Sequence, residues 1–146
     1  ATLYFTGVSR AFLTELTRHR HLSFSVESQR FINANDANIV LPPAVREQDL
    51  TVQTKFAWRV KEAIEKYELL QIALIHLPKK QRNEAARGLL PNCIETRMVV
   101  TGNLRAWHEV IERRTQPDAD AEMQEVMCLA REALHTVSPI IFPQDN

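Results

Sequence analysis

Apolar residues along this chain change rhythm several times, and the changes outline its elements. Residues 2–5 (TLYF) are β-branched and aromatic and run up to Gly7, which predicts a short strand. Ser9 then stands where a helix N-cap is favoured, and Val8, Phe12 and Leu16 follow at helical spacing. Segment 21–31 (HLSFSVESQRF) alternates polar and apolar residues without a helical period and reads as a loop or short strand. Segment 33–43, with Asn, Asp and Pro-Pro, reads as a surface connection. Val52, Phe56, Val60, Ile64 and Tyr67 predict a long amphipathic helix over 50–77, broken by Pro78. A more polar helix over 79–90 is stopped by Pro91. Residues 95–101 (ETRMVVT) read as a strand followed by Gly102, and 103–114 as a short helix. After Pro117 an acidic first turn (Asp118, Asp120, Glu122) opens the last helix. Its apolar face is Met123, Val126, Met127, Ala130 and Leu134, with the methionines as core filler.

Strands interleaved with helices place the chain in the α/β (α+β) class. Its 146 residues make a single domain, 1–146, long enough to bury about two thirds of its unfolded surface. A hydrophobic content of 45% with 18 basic against 18 acidic residues fits an ordinary globular protein. That balance argues against a dedicated nucleic-acid binder, which carries a basic excess. Cys93 and Cys128 form no CxxC, so neither a disulfide framework nor a zinc site is indicated, and a reducing cytoplasm is the simplest compartment. No apolar run reaches the length of a membrane span. With glycine only at 7, 88 and 102 there is no P-loop and no GxGxxG, so any nucleotide is held another way. The chain opens at Ala1 with strand-like ATLYF, which reads as the continuation of a missing N-terminal part.

The chemistry-bearing residues concentrate around Arg18-His19-Arg20, with Ser28 after seven intervening residues and Arg30 two further on. Such a cluster repels itself and calls for an anion or a large polar ligand. On residue chemistry alone it reads either as a solvated turn or as a phosphate subsite, because arginine forks match phosphate oxygens and Ser28 adds a hydroxyl. Segment 101–114 (TGNLRAWHEVIERR) sets Asn103, Arg105, Glu109 and Arg114 on partly shared helix faces, and alone reads as a surface helix. Arg87 in AARGLLP means little by itself. His19 and His21 form an HxH pair, but the flanking arginines repel a cation. His76, His108 and His135 stand apart, so no metal site is inferred.

The spacing RHR-x7-S, read here as RHRHLSFSVES, resembles the signature of the flavin-dependent thymidylate synthases, the ThyX family. The stretches YFTGVSRAFLTELTRHRHLSFS and LLPNCIETRMVVTGNLRAW and the C-terminal helix share that family's order and spacing. The resemblance implies a ThyX-type fold, a central mixed sheet flanked by long helices, and a homotetramer. It implies conversion of dUMP to dTMP, with methylenetetrahydrofolate as carbon donor and NADPH reducing FAD, and no cysteine nucleophile. By position, Arg18, His19 and Arg20 match the flavin-contacting RHR, and Arg18 with Glu15 also approaches dUMP. Ser28, Gln29 and Arg30 match the segment that holds the dUMP phosphate, and Arg87 an arginine reaching dUMP from a neighbouring subunit. Asn103 and Arg105 match a flavin-binding Asn-x-Arg, and Arg114 the arginine that stabilises N3-deprotonated uracil.

Four positions depart from the family pattern. Val26 replaces a Glu or Gln, Glu109 an Asn or His, Asp118 a His near the flavin edge, and Phe31 a Tyr. The reading set against the synthase is a ThyX-like nucleotide- or flavin-binding tetramer with little synthase activity. A phosphate- or RNA-binding module is disfavoured by zero net charge and by sparse aromatics beside the arginines.

Overall fold

The structure, a computed structural model, describes residues 1–34 and 37–143. Asn35 and Asp36 of the 33–43 connection, and residues 144–146, lie outside the described residues. Strand β1 (Thr2–Ser9) runs through Gly7 instead of ending before it. Its register slips between Phe5 and Val8, and Gly7 sits at φ +71° inside that bulge. A residue without Cβ takes that conformation at little cost, so the strand bends and continues. Ser9 caps helix α1 (Arg10–Leu16), its Oγ accepting from the Phe12 N–H at 3.0 Å. The turn that carries Arg18–Arg20 leads into β2 (Ser23–Val26).

Strand β3 (Glu95–Thr101) lies between the other two, in the order β1-β3-β2. Both pairings are antiparallel, so among the described residues the sheet is antiparallel and not the expected mixed one. The reason is that β3 arrives from some seventy residues downstream of β2 and inserts between β1 and β2, which would otherwise be parallel neighbours. One face is covered by α1, α5 (Leu104–Arg114) and α6 (Ala121–His135). There Phe5, Met98 and Val100 meet Phe12, Leu16, Trp107, Ile111, Met123 and Met127, all at most 7% exposed. Burying each large apolar side chain contributes roughly 1.5–3 kcal/mol. On the other face Tyr4 is 62% and Val99 39% exposed.

The 24-residue helix α3 (Leu50–Ala73) does not flank the sheet, which corrects the second part of the expected architecture. It buries Val60 and Ile64 against Ile94, just before β3, and Tyr67 against Ala34 and Ala86. Its remaining packing is on the short helix α2 (Pro43–Arg46), on α4 (Lys79–Ala86) and on the 3-10 turn Arg87–Leu89. The 33–43 connection is accordingly more than a surface strap: Ala34 is 5% exposed, and Ile39 bridges to Ile94. Among the described residues no helix is long and apolar enough to cross a membrane.

Candidate functional site

The turn after α1 is fixed at both ends. Thr17 closes the helix with its N–H on the Leu13 carbonyl at 3.0 Å. Leu22 then drops into the core, so close to Gly102 that a Cβ there would lie 2.5 Å from Leu22 Cδ2. Between these anchors residues 18–21 lie along α5 and form an open groove of about 860 Å³. Arg18, Arg20 and Arg113 line it together with Glu109 and Glu112.

At the C-terminal end of α5 the chain closes a contact across 95 residues: Arg114 Nε donates to His19 Nε2 at 2.9 Å. Arg114 Nη1 stands 3.3 Å from Glu15 Oε2, and Arg18 Nη1 stands 3.6 Å from the same oxygen. Arg114 is only 16% exposed, so its charge sits in a partly desolvated place. Burial, followed by Arg114, Arg113 and Arg18, holds His19 below its ordinary pKa, against a smaller opposing pull from Glu15. Glu15, Arg18, His19, Arg20 and Arg114 are thus brought together.

Other predicted residues lie elsewhere. Asn103 is the N-cap of α5, its Oδ1 accepting from the Ala106 N–H at 2.8 Å. With Arg105 it occupies the opposite end of that helix, about 16 Å from Arg114. Ser28, Gln29 and Arg30 lie in the loop after β2. Ser28 Oγ accepts from the Arg30 N–H at 3.4 Å, and Arg30 forms an ion pair with Glu84. Gln29 lines a separate hollow of about 360 Å³ with Glu27, Asn33, Asn38, Glu95 and Arg97. Arg87 lies beside Arg10, whose pKa falls through burial and then through Arg87, and it does not line the groove.

Sequence reasoning missed what shapes the 28–34 loop. Asn83, 1% exposed, donates to the Arg30 carbonyl at 3.2 Å, and its Oδ1 accepts from Gln71 at 2.6 Å. Gln71 also donates to the Tyr67 hydroxyl, which donates to Asn33 Oδ1 at 3.1 Å. Nothing local in QRNEA marks Asn83 or Glu84 as partners of a residue more than fifty positions away. Of the departures, Val26 packs against the core, Glu109 lines the groove, and Asp118 is exposed in the α5–α6 turn. Phe31 is exposed, its ring 5.8 Å from both Arg30 Cζ and Lys80 Nζ.

The donor set suits a large anionic ligand. Among the described residues, Arg20, Arg105 and Arg113 make no side-chain hydrogen bond or ion pair, leaving their forks free for phosphate or a polar ring edge. No three His, Cys, Asp or Glu side chains among the described residues come together to hold a metal ion.

An antiparallel sheet with helices on one face, joined to a turn and groove rich in arginine, defines an α+β protein, and the sequence comparison makes the class specific. The chain matches the Thy1 family, thymidylate synthase complementing protein, over residues 1–140, and belongs to that family. It is 42% identical over 150 residues to a flavin-dependent thymidylate synthase of Mycobacteroides abscessus, covering 97% of this chain and 60% of that protein. A flavin-dependent thymidylate synthase of Corynebacterium aurimucosum gives 42% over 152 residues with the same coverages. The chain therefore spans about 60% of the length of these relatives. Among solved structures, flavin-dependent thymidylate synthase ThyX from Helicobacter pylori complexed with FAD and dUMP matches with a TM-score of 0.74. That match is 22% identical and covers 97% of this chain and 70% of the other, a likeness of fold.

Proposed function

We propose that this protein acts as a flavin-dependent thymidylate synthase, converting dUMP to dTMP with methylenetetrahydrofolate as the carbon donor. The observation that carries the reading is the meeting of Glu15, Arg18, His19 and Arg114, beside the groove that Arg18 and His19 line, in a chain of the Thy1 family. FAD, reduced by NADPH, supplies when bound the hydride that completes the new methyl group.

The chain's own residues bind and polarise. Arg18, His19 and Arg20 hold the flavin from the turn, and Asn103 and Arg105 from the start of α5. Arg30 leaves Glu84 for the dUMP phosphate, with Ser28 and Gln29 beside it. Arg114 places a permanent cation next to the uracil, favouring its N3-deprotonated form and raising the nucleophilicity of C5. Glu15 steadies both Arg18 and Arg114. The C5 proton departs as the transferred carbon bonds there, and no cysteine is required. Cys93 supports this: burial first of all raises its thiol pKa and keeps it protonated.

The Arg87 side chain does not line the groove of its own chain, which supports a site completed by a neighbouring subunit in a homotetramer. We place this single-domain protein in the cytoplasm.

Separate titrations of FAD and dUMP test the assignment. Arg30→Ala removes a charge-assisted phosphate contact and should weaken dUMP about ten- to a hundred-fold while leaving FAD nearly unchanged. Arg20→Ala should do the reverse. Equal losses of both ligands in both variants would contradict it.

A further inference from the structure

We propose that His19 is a positioning residue for Arg114: a neutral imidazole carrying its proton on Nδ1 accepts the Arg114 Nε–H at Nε2 and fixes the plane of the guanidinium. The relevance of this to catalysis rests on the nucleotide reading of the groove.

The direction of the bond leaves one arrangement. An arginine has donors only, so across the 2.9 Å contact Nε2 is the acceptor. An imidazole that accepts at Nε2 bears its proton on Nδ1, and an imidazolium makes no such bond. The surroundings enforce neutrality. Arg113 and Arg114 approach from α5 and Arg18 from the turn itself, and only Glu15, on α1, opposes them. Further along the same groove lie Arg20, His21, His108, Glu109 and Glu112.

This pairing decides which edge Arg114 offers to a ligand. Its Nε–H is committed to His19 and one Nη1 proton to Glu15. Of five donors, the remaining Nη1 proton and both Nη2 protons have no partner among the described residues, so Arg114 presents the end of its fork and not its side. Without His19, Arg114 keeps only the looser 3.3 Å contact with Glu15 and is free to rotate.

Acid opens the arrangement. As pH falls through the lowered His19 pKa, which lies below the ordinary value of about 6.5, the acceptor is lost and a cation faces three guanidiniums. The organised state is therefore complete at neutral pH and is lost on the acid side.

Long-range proton–nitrogen NMR of the histidine side chains in the full chain, with His19 assigned by its absence in His19→Gln, reads the pairing without any ligand. The expected result is the Nδ1–H tautomer and a pKa below the ordinary range, moving up in Arg114→Met. An Nε2–H tautomer, or a His19 pKa that Arg114→Met leaves unmoved, would overturn the proposal. Titration with dUMP supplies a separate readout. Glutamine places an acceptor near the Nε2 position and asparagine does not, so His19→Asn should lose about ten-fold in dUMP affinity at neutral pH. His19→Gln should recover most of that loss and remove the acid-side weakening seen in the parent. If the NMR signature holds while dUMP affinity ignores both substitutions, the pairing stands and the assignment of dUMP to this groove falls.

Discussion

Glu95 shows how much one side chain sets at the start of β3. It is 9% exposed, and its carboxylate accepts from the Gly7 N–H at 3.0 Å, Asn38 Nδ2 at 2.5 Å and Thr6 Oγ1 at 3.3 Å. It ties the β1 bulge to the 33–43 connection. Burial pushes its pKa up, but Asn38, the Gly7 N–H, Thr6 and Arg97 together outweigh burial and hold it below the ordinary value. The sign follows: with the folded pKa depressed, this stabilisation is full above the unfolded value of about 4.3 and is lost as pH falls through the folded one. Glu95→Gln turns one acceptor into a donor facing Asn38 and should cost about 1–2 kcal/mol at neutral pH. Urea midpoints at pH 7 and near pH ~3 should show that difference shrinking with acid, since protonated Glu95 has lost the same contacts. A difference independent of pH would contradict the assignment. None of this was legible in the sequence, where Glu95 is only the first letter of a strand. Its hydrogen-bond partners lie 57 to 89 positions away, and spacing reports only neighbours along the chain.

At the scale of elements, local signals were read well. Ser9 and Asn103 are N-caps where an Asx or Ser precedes an apolar period, because the cap bond spans only three residues. The α5 cap separates two roles of Asn103. Asn103→Ala should cost about 1 kcal/mol in unfolding free energy, while Asn103→Asp keeps an acceptor for the Ala106 N–H and should cost little. If Asn103 also contacts flavin, Asn103→Asp should still weaken FAD by adding a negative charge. Stability and FAD affinity falling together in both variants would mean that the cap accounts for everything. What spacing missed was tertiary in origin. α3 ends at Ala73 and not at Leu77, with Leu74 at φ −97° and ψ 21°, and the chain reaches Pro78 through tighter turns in which Ile75 and Leu77 N–H donate three residues back. α2 has four residues, too few for any period to declare itself. The mixed sheet was an expectation about pairing partners, and strand order depends on which distant strand inserts.

For the whole molecule, the exposed apolar surface bears on assembly. Trp58, Leu69, Ile72 and Ile75 of α3 and the turn after it are 56–67% exposed, and Tyr4 and Val99 lie on the open sheet face. Much of α3 buries nothing within its own chain, as expected of a helix that packs between subunits. Sedimentation should give a homotetramer, and a stable monomer at micromolar concentration would contradict it. The candidate site is legible in the sequence only as far as its residues meet within one chain. The RHR turn and the Arg114 helix end, both singled out by sequence, meet in the fold, whereas Arg30 pairs with Glu84 and Arg87 does not line the groove. The claim that these pieces form one active centre is tested most directly by release of tritium from C5 of dUMP. With FAD, NADPH and methylenetetrahydrofolate supplied, the protein should release tritium in a flavin-dependent way, and Arg114→Ala should abolish nearly all of it. Protein that binds neither FAD nor dUMP and releases no tritium would contradict the account.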